Sequence, residues 1–217
     1  MNYEKARYNM IEQQVRPWEV LDQRVLDALA DLPRERFVPP AYRQLAYADT
    51  EIPLDAGEVM MVPKVEARLA QELALGPEDR VLEVGTGSGY LTALLAHLAG
   101  HVYSIEIVDA LSRWAARTLE AEGISNVTLK VGNGARGWDE HAPYDAIAVT
   151  GSMPELEPDL ARSLAVGGRL VAVVGSAPIM EAILVTRHSE DGWSRTSLFD
   201  TELPPLRGLP ERETFEF

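Results

Sequence analysis

"RVLEVGTGSGY", residues 80–90, decides how this chain folds. A short apolar run, Val81 to Val84, ends directly in Gly85, Gly87 and Gly89, and a helical pattern begins near Tyr90. Glycines in such a turn permit a tight backbone and let a ligand approach the main chain closely. Their spacing selects the ligand. A dinucleotide fingerprint, G-x-G-x-x-G, needs glycine at position 90, where Tyr90 stands. The spacing G-x-G-x-G, with Glu83 two residues before the first glycine, suits a nucleoside without a pyrophosphate, and S-adenosylmethionine is the common one.

Working outward, short apolar runs alternate with amphipathic stretches: "RVLEVG", "HVYSIEIV", "VTLKVG", "YDAIAVTG" and "RLVAVVG". Such alternation predicts βαβ units and a parallel sheet covered on both faces. "EAILVTRH" and "WSRTSLFD", joined by "SEDG", read as two antiparallel strands, so the sheet is expected to be mixed at one edge. Glu106 closes the second strand, where a carboxylate accepts hydrogen bonds from both ribose hydroxyls at the carboxyl edge of the sheet. Thr150, Gly151 and Ser152 follow the fourth strand at that same edge, where an acceptor meets a donor methyl.

Residues 1–55 are expected to form a broken helical cap, with Leu21, Val25 and Leu29 at steps of four and Pro17, Pro33, Pro39 and Pro40 as punctuation. Residues 56–175 form the cofactor-binding core, and 176–217 the antiparallel edge strands and a tail, all in one domain. The tail "LPPLRGLPERE" is expected to be loosely held.

The net charge of -14, from 20 Lys and Arg against 34 acids, argues against unspecific nucleic-acid binding. Zero cysteines exclude disulfides and thiolate chemistry. No run approaches the roughly 20 apolar residues of a membrane span, and "MNYEKARYNM" has no apolar signal core behind it, so a cytoplasmic protein is expected. His97 and His101 lie four apart across Gly100, which is expected to end the helix, and no metal site is expected. Lys64 and Arg68, one turn apart, read as a solvated helix face or as contacts to an anionic substrate. Trp138 and Tyr90 flank the cofactor or belong to the core.

"VLEVGTGSGYLTALLA", "VYSIEIV", "GNGARGW", "YDAIAVTGSMPELEPDL" and "LAVGGRLVAVVG" resemble, in order and spacing, the protein-L-isoaspartate O-methyltransferase family. "RERFVPP", "AYADTEIPL" and "VPKVEARL" are similar to that family's N-terminal portion. The resemblance covers about residues 8–175. It implies a Rossmann-like class I methyltransferase fold, with a mixed, mostly parallel seven-stranded α/β sheet, helices on both faces and an N-terminal helical extension. It also implies S-adenosylmethionine as cofactor, held at Glu83, Gly85, Thr86, Gly87, Ser88, Gly89, Glu106, Ile107, Asn133, Gly134 and Thr150. The substrate it implies is the stray carboxylate of isoaspartyl residues in damaged proteins, with Met61, Thr150 and Ser152 around the acceptor. A carboxylate needs no base, since its ordinary pKa of about 4 leaves it ionised at neutral pH.

Three departures qualify the resemblance. The family's acceptor site includes a Ser-Gln-Pro segment, and aligned through Pro63 those first two positions are Met61 and Val62. Methionine offers no donor, so it cannot hold a carboxylate as a hydroxyl does. Asn133 stands where the family usually has Asp, and its amide oxygen still accepts a hydrogen bond from an adenine amino group. "LFDTELPPLRG" differs from the family's Val-Pro-Leu ending. A methyltransferase acting on another protein group or a small molecule therefore stays open, as does a protein that binds the cofactor without catalysis. A nicotinamide oxidoreductase fails on Tyr90.

Overall fold

Strands buried on both faces read as continuous apolar runs, and the runs from Arg80 onward form such strands in the computed structural model, which describes residues 2–209, except "VTLKVG", which forms a half-exposed edge strand. The chain begins with α1 (Tyr3–Met10), capped by the Asn2 side chain, which accepts from the Lys5 N–H at 3.0 Å. A π-turn at Ile11–Val15 and a 3-10 turn at Arg16–Trp18 lead to α2 (Gln23–Asp31). Asp22 caps α2 by accepting from the Arg24 N–H at 2.8 Å. Two more 3-10 turns follow, at Arg34–Arg36 and Pro40–Leu45. A small antiparallel hairpin, β1 (Ile52–Pro53) and β2 (Val59–Met60), then sets Ile52 opposite Met60. Its strands of two residues each carry no periodicity to read, and the hairpin straddles the expected boundary at residue 55.

The helix α3 (Pro63–Leu73) begins on its proline and ends where Ala74 turns left-handed. There follow β3 (Arg80–Val84), α4 (Tyr90–Leu98), β4 (His101–Glu106), α5 (Asp109–Ala121), β5 (Val127–Val131), β6 (Tyr144–Met153), α6 (Pro158–Arg162), β7 (Leu164–Ser176), β8 (Ile179–Ser189) and β9 (Gly192–Asp200). The seven long strands lie in the order β5-β4-β3-β6-β7-β8-β9. The first four junctions are parallel and the last two antiparallel, the mixed edge expected from the sequence. Chain direction across the sheet reverses between β3 and β6, which opens a crevice at the carboxyl ends of those strands.

The faces are unequally covered. Val81, Val102, Val171 and Val173 pack with α2 to α5 in one apolar cluster, while Leu82, Val84, Leu170 and Val174 meet Trp138, Tyr144 and Leu160 of α6 on the other side. Every residue of α4 except His97 is buried, because α4 is sandwiched between the sheet and the N-terminal segment. Among the described residues none of residues 1–55 lines that crevice; they pack on α3 and α4, and Trp18 meets Phe199 of β9. No helix of the described residues is long and apolar enough to cross a membrane.

Candidate active site

The glycine loop takes the shape its composition allows. Gly85 has φ +98, and a Cβ there would stand 2.1 Å from Thr150 Oγ1, a clash no side chain could avoid. The bare backbone instead lets Thr150 donate to the Gly85 and Val84 carbonyls at 2.7 and 3.0 Å, tying the end of β3 to β6. Gly134 is under the same pressure, since a Cβ there would lie 2.3 Å from Ile105.

Glu106 stands opposite the loop. One carboxylate oxygen accepts from the Gly87 N–H and the other from the Val108 N–H, both at 2.8 Å, which fixes the carboxylate at the rim of β4. Around it lies a narrow crevice, open to solvent, at the carboxyl edge of the sheet. Gly85, Gly87, Glu106 and Ile107 form its floor and one side; Gly132, Gly134 and Ala135 form another. Met61, Val59 and Glu58 close it from the hairpin, and Thr150, Gly151 and residues 203–207 from the β6 side. Of the residues singled out from sequence, Met61, Gly85, Gly87, Glu106, Ile107, Gly134 and Thr150 thus come together.

Glu83, Thr86, Ser88, Gly89, Asn133 and Ser152 are not on that wall. Glu83 points the other way, toward α4, wholly buried, accepting from Thr92 at 2.5 Å and Ser104 at 2.6 Å. Burial drives its pKa up to about 8 despite these two hydroxyls, which pull it down. Thr86 extends the network, its hydroxyl 2.6 Å from that of Ser104, and Ser88 accepts from the Tyr90 N–H at 3.2 Å. This polar cluster supports the loop from behind. Gly89 precedes α4 with φ +81. Asn133 uses its amide oxygen on the Ala135 N–H at 2.9 Å and donates to the Gly208 carbonyl at 2.7 Å. The donated bond to Gly208 could not be made by an aspartate.

Ser152 is buried and donates to the Leu203 carbonyl at 2.7 Å. Its N–H donates to the Pro204 carbonyl at 2.9 Å, and its carbonyl accepts from Leu206 at 2.8 Å. Ser152 therefore anchors a strap, residues 203–208, that crosses the sheet edge and finishes on Asn133. This corrects the expectation of a loosely held tail for residues 203–209; residues 210–213 of "LPPLRGLPERE" lie outside the described residues.

Met61 stands buried in the wall, as its apolar side chain allows, and its carbonyl accepts from Arg34 Nη2 at 2.6 Å. Arg34 is itself fully buried, paired with Glu66 and stacked over the Tyr90 ring at 4.5 Å. Arg34 lies within "RERFVPP" with no local signal to mark it, because nothing in composition distinguishes a buried arginine from a solvated one. Tyr90 and Trp138 are core residues: Tyr90 meets Phe37, and Trp138 packs on Tyr103 and His141. Lys64 pairs with Asp49 at 2.7 Å, and Arg68 holds Glu72 and the Trp18 carbonyl at 2.7 and 2.9 Å, so both brace the N-terminal segment. Among the described residues no group of His, Asp and Glu is placed to hold a metal.

A seven-stranded sheet of this order, with a glycine loop and an acid at neighbouring strand ends around one cavity, defines a Rossmann-like class I methyltransferase. The chain belongs to the protein-L-isoaspartate(D-aspartate) O-methyltransferase family, whose model matches residues 5–202. A protein-L-isoaspartate O-methyltransferase of Anaeromyxobacter dehalogenans is 46% identical over 193 residues, 88% of this chain and 92% of the relative. Protein-L-isoaspartate O-methyltransferase 2 of Pelobacter propionicus is 41% identical over 208 residues, 95% of this chain and 92% of the relative. In fold, the chain resembles a Plasmodium falciparum protein described as a putative protein-L-isoaspartate O-methyltransferase in complex with S-adenosyl-L-homocysteine. The TM-score is 0.79 at 22% identity, covering 95% of this chain and 99% of the other.

Proposed function

We propose that this protein methylates the free carboxylate of isoaspartyl residues in damaged proteins, with S-adenosylmethionine as methyl donor. The cofactor, when bound, supplies an electrophilic methyl group on a sulfonium. The chain's own work is to hold donor and acceptor in line in a dry pocket. Glu106 carries the reading: its carboxylate is held by two main-chain N–H groups at the sheet edge, where ribose hydroxyls can donate to its remaining lone pairs. The bare loop at Gly85 and Gly87, with Ile107 and Gly134 beside it, offers room for the adenosine. A carboxylate acceptor needs no base, and consistent with this no histidine lines the cavity among the described residues. The excess of acids over bases argues against nucleic acid as a partner, and we read the chain as a cytoplasmic protein acting on proteins or peptides.

Radiolabelled methyl transfer to an isoaspartyl peptide, against the same peptide with ordinary aspartate, tests the reading. Incorporation is expected in the first alone. Met61 favours a second reading, a methyltransferase for a less polar acceptor; it would stand if calorimetry shows S-adenosylhomocysteine binding while neither peptide is labelled.

A further inference from the structure

The acceptor of the proposed reaction is an anion, yet Met61 presents it with a thioether. Among the described residues that line the cavity, one cation remains, Arg207. Its guanidinium reaches from the strap across the cavity mouth to the hairpin loop, with Nε 2.5 Å from Glu58 and Nη2 on the Ala56 carbonyl. The pair is not sealed: the side chains are 47% and 26% exposed. A surface ion pair of this kind contributes little to stability and exchanges partners readily. Glu106, the other acid of the wall, is committed to the Gly87 and Val108 N–H groups.

We propose that Arg207 is the residue that anchors the substrate carboxylate, and that Glu58 competes with the substrate for it. The inference rests on the isoaspartyl reading above. The planar guanidinium matches a carboxylate in two-pronged geometry, which the family's serine hydroxyl would not offer. Glu58 holds the guanidinium over the cavity with a group chemically the same as the substrate's, so substrate binding swaps one carboxylate for another. Each carboxylate oxygen keeps a further lone pair beyond its guanidinium contact, and one of these acts as the nucleophile. The Ser152 and Asn133 contacts keep the strap, and with it Arg207, in place.

Steady-state kinetics with an isoaspartyl peptide, on the wild-type enzyme and on Arg207→Gln and Glu58→Gln, tests this alongside calorimetry with S-adenosylhomocysteine. Loss of one charge-assisted contact at a half-exposed site is expected to raise the peptide KM by about tenfold in Arg207→Gln. Glu58→Gln, by removing the competitor, is expected to lower the KM, and nucleoside affinity is expected to stay the same in both. If instead the pair is only a strut, the two variants change in the same direction, and that result, or an unchanged KM in Arg207→Gln, overturns the proposal. Wild-type enzyme that binds the nucleoside but labels no isoaspartyl peptide overturns the isoaspartyl reading, and the anchor with it. Labelling by the wild type with a KM indifferent to Arg207 overturns the anchor alone.

Discussion

Arg34, with none of its surface exposed, donates to the backbone carbonyl of Met61 at 2.6 Å and so fixes the wall of the cavity from inside the core. The other terminal nitrogen, Nη1, is paired with Glu66, and the guanidinium lies 4.5 Å from the Tyr90 ring centre. One charged side chain thus joins the hairpin, α3 and α4 at the back of the active site. Removing one member of a buried pair leaves the other charged and unpaired, at a cost of about 3–5 kcal/mol. Arg34→Ala should therefore lower stability by that order in denaturant unfolding. Arg34→Met combined with Glu66→Leu should recover much of it, since an apolar pair of similar size avoids the desolvation penalty. A double variant no better than the single would show that the Met61 contact, and not the ion pair, dominates.

The fold was readable because its signals are local. The glycine loop interrupts a strand at Gly85, and four of the five apolar runs have the length and composition of strands buried on both faces, the fifth forming the edge strand β5. The last two strands were equally plain, since "SEDG" separates them at hairpin distance. What escaped was long-range. Arg34 and Met61 are 27 residues apart, and Ser152 and Leu203 are 51 apart. Whether a charge is buried, or whether a Pro-rich tail folds back, depends on which groups meet. Prolines cannot donate to a ladder, yet the Pro204 carbonyl and the Leu206 N–H still pair with the Ser152 backbone on either side of Pro205.

Glu106 gives a direct prediction. Glu106→Ala removes the carboxylate that the ribose would use and frees the Gly87 and Val108 N–H groups. Hydrogen bonds to a charged group are each worth about 1.5–3 kcal/mol, so two of them amount to a loss of roughly a hundredfold or more in affinity. Calorimetry with S-adenosylhomocysteine should show this drop, whereas thermal stability should fall only modestly. An affinity within a few-fold of wild type would remove Glu106 from the ribose site.

Ser152 anchors the strap that forms one side of the cavity. Ser152→Ala leaves the buried Leu203 carbonyl without its hydroxyl donor, a cost of about 1–3 kcal/mol. Its backbone bonds to Pro204 and Leu206 persist, so the strap should loosen without detaching. The expected result is a several-fold weaker nucleoside and faster amide exchange at Leu206. Exchange no faster than in wild type would show that the backbone pairing alone holds the strap.

Glu83 predicts how stability depends on pH. Burial raises its pKa in the folded protein from the ordinary 4.5 to about 8. Between those values the folded chain binds a proton that the unfolded chain has already released, so stability falls as pH rises through this window. The loss is complete above about pH 8 and absent below about 4.5. Glu66, raised to about 7 by burial against the pull of Arg34, adds a loss of the same sign over a lower range. Glu83→Gln keeps the shape of the protonated acid and removes its titration. Its amide can still accept from Thr92 and Ser104, and its NH₂ replaces the acid proton on the side where Oε1 has no partner. Denaturant unfolding from pH 5 to 9 should therefore show a shallower fall for Glu83→Gln than for wild type, with the variant more stable at pH 9. Parallel curves would mean that Glu83 titrates alike in both states, and that the cluster behind the glycine loop admits water.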